Sequence, residues 1–471
     1  MATVLPFMHQ KQTMKFFKVL SATGILLAVS LVLKAQHQPL SLREALSTAA
    51  AQAPALKVFR EETNAAAKYG DLIKNTLVPE LTAGYQAGYA TYNNITGLTY
   101  PGLFLPISGP PSTGNTFDPV PGTVLSALLK WEPLTFGQRQ AAAEKAASQY
   151  RLAASEYNDE LFREQYAIIV TYLDAAYLYS LTRSYQGNID RTKTGLEQAL
   201  VLAREGLKPG IDTMQFQSAL AQAEMDILTL RRRFFDQTAE LIRLTGLSST
   251  PQNIVLSDTA FIRELPGTSG GAETDPAHPA LQVAVSRVEV RKASLKEVQR
   301  EWRPRFDVWA NAYARGSGVA ADGTVTKSDG WSLSHRNYGA GIQLSFPLLG
   351  FTRTNIRKNQ YRSLLKAEEA RLEQTRLNLR TQLEKAQLAF EQNSEIARKS
   401  SVQTEAARFA YEGLRISYES GLVDYTRLMQ GQLDLLRAEA AQAGATLQVW
   451  RSLLDISVAQ GNIETLTDTL K

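Results

Sequence analysis

The sequence of 471 residues contains no cysteine and only four histidines, which stand far apart at positions 9, 37, 278 and 335. The lack of cysteine excludes disulfides, thiolate nucleophiles and cysteine-based metal sites. The histidines do not have the spacing of a zinc site, and no glycine-rich phosphate loop follows a strand pattern. His278 precedes a proline at a helix start, where a capping or surface role is expected. We therefore predict no catalytic residues, no metal and no cofactor.

The chain also has little net charge and no broad hydrophobic content. Its formal charge is +5, and four of its lysines lie within the first 34 residues, so the rest of the chain carries only +1. A nearly neutral chain with interspersed charges gives no support for nucleic-acid binding. Hydrophobic residues make up 44% of the sequence, which is too few for a bundle of membrane-spanning helices of about 20 apolar residues each.

The one long apolar run lies near the N-terminus, at residues 19–33. A basic segment with Lys15 and Lys18 precedes it, and the sequence KAQ follows. This arrangement is typical of a secretory signal peptide, so we predict that residues 1–35 are a signal cleaved near Ala35 and that the chain is exported. An uncleaved anchor helix is the alternative, and Met14 is a second candidate start.

Four residues near the middle of the chain repeat a pattern from its beginning. The sequence HPAL at 278–281 resembles APAL at 53–56, and each proline is followed by another proline 25 positions later, Pro79 and Pro304. Such an internal match indicates duplication. We predict the following organisation: a first repeat at 36–246, a linker rich in Pro, Gly, Ser and Thr at 247–277, a second repeat at 278–460 and a C-terminal tail at 461–471.

Each predicted repeat contains two strand-like segments. In the first, Leu81, Tyr85 and Tyr89 alternate with small or polar residues, as in a strand with one apolar face. The predicted strands are about 80–92, 123–133, 305–315 and 338–347, and the alternation in the second does not decide which face Lys130 occupies. Strands of this length with flanking aromatic residues suit an outer-membrane barrel, and a soluble sandwich or hairpin pair is the alternative.

Each second strand is followed by a long helical pattern. The predicted long helices are about 138–205 and 352–420, and each ends at a glycine turn before a return helix, at 213–246 and 424–460. Some 65 residues of helix span roughly 100 Å, far more than a globular core needs. Leucines at seven-residue spacing in the second run predict coiled-coil-like packing.

Four strands are too few to close a barrel, which takes about eight to be filled. Open sheet edges in lipid would leave backbone groups without partners. The sequence therefore predicts an α+β membrane protein of two tandem repeats, each with two barrel strands and long coiled-coil-like helices. Several chains would share one barrel.

With these features the chain resembles the outer membrane efflux protein family, the TolC-like outer membrane factors, over about residues 40–460. The resemblance is carried by the repeated APAL and HPAL openings and by the proline-to-strand segments at 79–91 and 304–315. It also rests on the strand-to-helix sequences WEPLTFGQR and SFPLLGFTR and on the turns EGLKPGID and SGLVDYT.

The resemblance implies a homotrimer with a 12-stranded β-barrel and a periplasmic α-helical tunnel. It implies an exit duct in the outer membrane of a Gram-negative bacterium, embedded in outer-membrane lipid. The duct would passively conduct cargo from an inner-membrane pump, through a periplasmic adaptor protein, to the exterior in tripartite efflux or type I secretion. It implies no nucleic-acid partner and no enzyme activity. The alternative is an exported envelope coiled-coil protein without a pore.

The resemblance also implies roles for residues at the two turns. The residues expected to form the periplasmic tip and dock the adaptor are Gly206, Leu207, Gly421, Leu422 and Thr426.

The residues expected to form the tunnel constriction are Asp212, Asp424, Arg427 and Gln430. The best-known member of the family has aspartates where Arg427 and Gln430 stand. A ring of Arg427 would repel cations, unless Asp424 pairs with it three residues away. An ordinary solvated helix start is the alternative for both residues.

Overall fold

A computed structural model describes residues 38–92, 116–207, 209–257, 259–267, 274–320, 322–464 and 466. The predicted signal peptide, most of the 93–122 connection and Lys208 lie outside these residues. The chain forms two compact units, and each takes segments from both predicted repeats. The first, here the helical unit, comprises the described residues up to Phe59, Tyr157–Ala280 and those from Arg376 onward. The second, the sheet unit, comprises Arg60–Glu156 and Leu281–Thr375.

Helices account for most of the described chain. They are α1 (Leu42–Gln52), α2 (Pro54–Asn75), α3 (Gln138–Arg204), α4 (Gly210–Thr245), α5 (Pro279–Arg300), α6 (Gly350–Glu419) and α7 (Tyr425–Gln460). The strands are β1 (Gln38–Leu40), β2 (Glu80–Tyr92), β3 (Thr116–Leu134), β4 (Ile254–Leu256), β5 (Arg305–Ser317) and β6 (His335–Ser345). None of the helices among the described residues combines the length and apolar content needed to cross a membrane.

The first helix begins at a capping box. The Ser41 side chain accepts a hydrogen bond from the Glu44 backbone N–H, and the Glu44 carboxylate accepts one from the Ser41 backbone N–H at 3.0 Å. These two bonds satisfy backbone donors that the first helical turn leaves unpaired. The Glu44 carboxylate accepts from the Ser41 backbone N–H and also from the Ser41 hydroxyl at 3.0 Å, and these two bonds lower the pKa of Glu44. Ser41 followed three residues later by Glu44 is the sequence signature of such a box.

The sheet unit contains a four-stranded antiparallel sheet in the order β2-β3-β5-β6. The strand β3 begins at Thr116, earlier than the predicted start at 123, because the segment with Pro119 and Pro121 still pairs with β2. Proline has no backbone N–H to donate to a neighbouring strand, so these two residues made the first part of β3 look unlike a strand in the sequence. Within the described residues β2 and β6 are paired on one side only, so the sheet has two open edges.

The strand register separates the two faces of this sheet. Leu81 lies opposite Leu129, which in turn lies opposite Ala310, so these residues share one face. Lys130 lies between Glu80 and Trp309 and therefore occupies the other face. The register thus assigns Lys130, which the sequence pattern left open, to the more polar face.

The apolar face of the sheet is exposed in the single chain. Leu81 is 70% exposed on β2, and Tyr338 is 92% exposed on β6. Tyr85, Tyr89 and Ile342 are exposed as well. A contiguous apolar surface of this kind marks a contact with lipid or with another protein.

The core of the helical unit is assembled from distant parts of the chain. It contains large residues of α3 and α7 that are almost fully buried, including Tyr172 and Leu454, and leucines of α1 and α4. The Tyr172 hydroxyl donates to the Leu40 carbonyl at 3.0 Å, which ties β1 to the middle of α3. Hydrophobic burial therefore joins segments that are hundreds of residues apart in sequence.

The segment 247–277 was predicted to be a linker, but described residues in its first half are built into this core. Its strand β4 pairs in parallel with β1, and Ile254, Leu256 and Ile262 are buried. The Trp450 indole N–H lies 3.1 Å from the carbonyls of Phe261 and Glu264. The prediction failed because two apolar triplets, IVL and AFI, are too short to show a period among Pro, Gly and Ser residues.

The predicted tail at 461–471 also begins inside the core. Ile463 and Leu466 are buried and belong to the same apolar cluster. The chain therefore contributes to the core up to at least residue 466, six residues beyond the end of α7.

The buried residue His278 caps α5 and contacts the end of α7. Its Nδ1 accepts a hydrogen bond from the Ala280 N–H at 3.1 Å, and its Nε2 lies 3.0 Å from the Val458 carbonyl. This pattern requires a neutral ring with the proton on Nε2. Burial lowers the pKa of His278, although the Val458 carbonyl and the carboxylates of Asp159 and Asp275 oppose that shift.

We expect this histidine to make the protein less stable in mild acid. The unfolded chain binds a proton at His278 below about pH 6.5, before the folded chain does. The free energy of unfolding therefore falls from pH 6.5 down to the lowered folded pKa, by about 1.4 kcal/mol per unit of pKa difference. Chemical unfolding at several pH values checks this, with His278→Asn, which can still cap the helix, as the control. An equal pH dependence in the variant would contradict the assignment.

Candidate functional site at the two helix turns

The residues predicted for the tip lie at two turns of the helical unit, between α3 and α4 and between α6 and α7. Gly206 and Gly421 have φ of 70° and 74°, the left-handed conformation that favours glycine. The Leu207 N–H donates to the Leu202 carbonyl at 2.9 Å, and the Leu422 N–H donates to the Ser417 carbonyl at 2.8 Å. Both long helices therefore end in the same Schellman-type turn.

Glycine is required at these turns by backbone conformation and not by packing. A Cβ added to Gly206 or Gly421 would meet no heavy atom within 4 Å, so only the positive φ penalises a side chain. We expect Gly206→Ala and Gly421→Ala each to lower the free energy of unfolding by about 1 kcal/mol.

Denaturant unfolding of the two alanine variants measures this cost. Gly413→Ala is the matched control, because Gly413 lies within α6, has open space around it and has no positive φ. Alanine is the better helix former, so this control is expected to be neutral or stabilising. Equal losses in all three variants would contradict the backbone explanation.

The two turns expose apolar side chains. Leu207 is 69% exposed and Leu422 is 79% exposed, and each directly follows its turn glycine. Ile211 and Met214, at the start of α4, are also exposed. Thr426 lies in the first turn of α7 with an exposed side chain. Leucines held out on tight turns form a surface suited to contact with another protein.

Asp212 is hydrogen-bonded to a residue of the other turn. Its Oδ2 accepts a bond from the hydroxyl of Tyr418 at 3.1 Å. Tyr418 is fully buried, and burial together with the neighbouring carboxylate strongly raises its pKa. This bond connects the start of α4 with the last turn of α6. Tyr418 was not among the predicted site residues, although it stands three residues before the turn glycine Gly421.

An aromatic cluster lies beside this bond. The Phe216 ring is 4.6 Å from the Tyr425 ring and 6.1 Å from the Tyr418 ring, both edge to face. Gly195 in α3 makes room for it, since an added Cβ would lie 2.4 Å from the Phe216 ring. The tight packing holds the two turns together through α3, α4, α6 and α7.

Asp424 is the N-cap of α7. Its Oδ1 accepts a hydrogen bond from the Arg427 backbone N–H at 2.9 Å. The side-chain pair between Asp424 and Arg427 that the sequence suggested does not form, because the capping geometry directs the carboxylate to the backbone. The Arg427 side chain is exposed and has no ion pair within the described part of the chain.

Gln430 lies one turn further along α7. Its amide donates to Asp434 Oδ1 at 2.9 Å, and both residues are exposed. Of the residues predicted for a constriction, Asp212 is tied to the aromatic cluster, Asp424 caps a helix, and Arg427 and Gln430 present polar groups to solvent.

The family model for outer membrane efflux proteins matches residues 45–247 and 276–462, which cover both long helices, both turns and all four strands of the large sheet. The chain belongs to the outer membrane efflux protein family. It is therefore an efflux duct of the Gram-negative outer membrane. Its family is one of channels and not of enzymes.

Solved outer-membrane channels have the same fold. VceC of Vibrio cholerae shares 15% identity with a TM-score of 0.68, over 89% of this chain and 96% of that one. The Campylobacter jejuni CmeC channel shares 12% identity with a TM-score of 0.66, over 91% and 89%. The open state of Neisseria gonorrhoeae MtrE shares 14% identity with a TM-score of 0.64, over 89% of each chain. No curated protein sequence matches the chain.

Proposed function

We propose that three copies of this efflux protein share one 12-stranded barrel, whose lumen continues into a periplasmic α-helical tunnel. The observation that carries the proposal is the four-stranded sheet with two open edges and an exposed apolar face. Unpaired edges in lipid cost several kcal/mol per backbone group. Pairing of β6 with β2 of the next copy removes every edge, and the apolar face then contacts outer-membrane lipid.

The trimer is proposed to act as the passive exit duct of a tripartite efflux or type I secretion system. Cargo would pass from an inner-membrane pump through a periplasmic adaptor into the tunnel. Family membership supports an efflux role, and the exposed turn leucines, Leu207 and Leu422, supply an apolar surface for the adaptor. Gly206, Gly421 and Thr426 complete the proposed docking site.

The oligomer and its pore are testable on the full-length protein. Light scattering of detergent-purified protein should show a trimer that heat dissociates, and planar-bilayer recordings should show conductance. In cells, deletion should raise intracellular retention of an exported compound. A monomer in detergent, or release of the protein from envelopes by a salt wash, would contradict the proposal.

Asp212, Asp424, Arg427 and Gln430 are proposed to form the tunnel constriction. The bond between Asp212 and Tyr418 would then restrain it, since the two residues belong to different turns. We expect Tyr418→Phe, which deletes only the hydroxyl, to increase single-channel conductance by weakening that restraint. The lost bond has a carboxylate as its acceptor, so it is expected to be worth about 1.5–3 kcal/mol.

Tyr179→Phe provides the matched control for Tyr418→Phe, because Tyr179 lies on α3 with an exposed side chain. Planar-bilayer recordings compare both variants with the unaltered protein. An unchanged conductance in Tyr418→Phe, with the trimer intact, would contradict a restraining role for this bond.

A further inference from the structure

A polar groove lies within the helical unit, away from the two turns. It has a volume of about 370 Å³, within the range of about 300–1,000 Å³ that is usual for small-molecule sites. One face of α3 and one face of α7 form its walls, with Arg408 of α6 and Ile262 beside them. The residues of the two walls are Ser180, Arg183, Ser184, Gly187 and Arg191, and Glu439, Gln442, Ala443 and Thr446.

Small side chains keep the groove open. Gly187 and Ala443 lie where larger residues would fill the space between the helices. Next to the groove the same helices are tightly joined: the buried Gln432 amide donates to Asn188 Oδ1 at 2.9 Å and to Thr192 Oγ1 at 2.7 Å. The groove is therefore a local gap in an otherwise well-packed contact.

The lining carries an excess of positive charge. It has three arginines and one glutamate, and Glu439 lies 3.4 Å from Arg191 and 3.9 Å from Arg408. Arg183 has no ion pair among the residues that the structure describes, and the Arg191 Nε is buried without an acceptor. The Glu439 carboxylate is thus the one acidic partner of both Arg191 and Arg408, and Arg183 has no acidic partner among the described residues.

A neighbouring groove shows that this imbalance is local. That groove, of about 380 Å³, shares Arg191 but is lined by two acids, Asp190 and Glu412, and by Arg415. Arg415 is bonded to Glu412 at 3.0 Å and to Glu419 at 2.7 Å, so its charge is already compensated. The first groove therefore has three arginines to one acid, whereas the second has two arginines to two acids.

We propose that the first groove binds a small polyvalent oxyanion, a ligand whose phosphate or carboxylate groups are held by Arg183, Arg191 and Arg408. Guanidinium groups match such oxygens with paired charge-assisted hydrogen bonds. Ser180, Ser184 and Gln442 supply further polar groups along the walls, which suits a ligand with more than one oxygen group.

The test is calorimetric titration of the detergent-purified full-length protein at constant ionic strength. The three probes are inorganic phosphate, citrate and a short-chain phosphatidic acid below its micelle concentration, with chloride as the baseline. We expect saturable binding of at least one of them. The probe that binds shows whether the source is free phosphate, a carboxylate or a lipid headgroup.

Substitutions then locate the binding. Arg183→Gln and Arg408→Gln are expected to weaken binding about tenfold or more, the effect of losing one charge-assisted hydrogen bond. Arg380→Gln is the matched control, because this exposed arginine of α6 lies outside the groove. Glu439→Gln should strengthen binding several-fold, since it removes the competing carboxylate, whereas purely structural damage would weaken it.

A second variant fills the groove without changing its charge. A Cβ at Gly187 would meet only Arg191, at an ordinary 3.7 Å, so the backbone there accepts a side chain. Gly187→Leu should abolish binding, with unchanged helix content by circular dichroism and an unchanged melting temperature showing that the variant is folded. The proposal is overturned if none of the probes binds, if Arg380→Gln loses as much affinity as Arg183→Gln, or if Gly187→Leu binds normally. None of these results bears on conductance, so the exit-duct proposal stands or falls separately.

Discussion

Replacing Phe216 by alanine should lower the free energy of unfolding of the helical unit by about 3–5 kcal/mol. The side chain is fully buried and contacts the rings of Tyr418 and Tyr425. Its ring also lies so close to Gly195 that no side chain fits there. Alanine would leave a cavity lined by residues of several helices, and the lost edge-to-face contacts add to the cost. Thermal and denaturant unfolding of the full-length protein measure the loss.

Met214→Ala is the matched control for Phe216→Ala. Met214 lies two residues earlier on the same helix and is 62% exposed, so its truncation should change the free energy of unfolding by less than about 0.5 kcal/mol. Gly195→Ala tests the same contact from the other side, because its methyl group would overlap the Phe216 ring. Equal stability of Phe216→Ala and Met214→Ala would show that the aromatic cluster does not hold the turns.

Reversing the charge of Arg427 should reverse the ion preference of the duct. In the proposed trimer this exposed residue forms a ring of three unpaired positive charges, because Asp424 is engaged with the backbone. Arg427→Asp replaces that ring with three negative charges. We expect the permeability ratio of cations to anions to rise by about tenfold or more at low salt.

Reversal potentials in a salt gradient across a planar bilayer measure this ratio. Arg437→Asp introduces the same charge change on the same helix, at a position where the native arginine lies 3.6 Å from Asp434. It should alter selectivity much less. If both variants shift the reversal potential equally, the effect reflects general charge and not a constriction at Arg427.

The turns and long helices could be predicted because their signals are local. Gly206 and Gly421 end long runs of helix-forming residues, and a glycine at such a point is expected to have positive φ, as both do. The structure starts α6 at Gly350 and α4 at Gly210, each slightly earlier than predicted. In both cases the helix begins with glycine, a poor helix former, so the sequence pattern placed its start a few residues too late.

Contacts between distant residues could not be predicted from local pattern. The bond from Tyr418 to Asp212 joins residues 206 positions apart, and nothing near either residue marks the other as a partner. The face that Lys130 occupies follows from its register with Glu80. The sequence pattern alone left this face open, because Leu128, which shares it, is apolar and buried. The roles of Thr426, Asp424 and Arg427 in docking or constriction remain predictions of the resemblance.

The core of the helical unit joins the beginning and the end of the described chain, and this limits the order in which the chain can fold. The apolar cluster that contains Leu40 also contains Leu466, so residues from the two ends of the described chain share one core. An exported chain cannot complete this core until almost all of it has crossed the inner membrane. Long-range closure of this kind is slow and leaves apolar surface exposed meanwhile, so folding should depend on periplasmic chaperones that bind the chain during its transit.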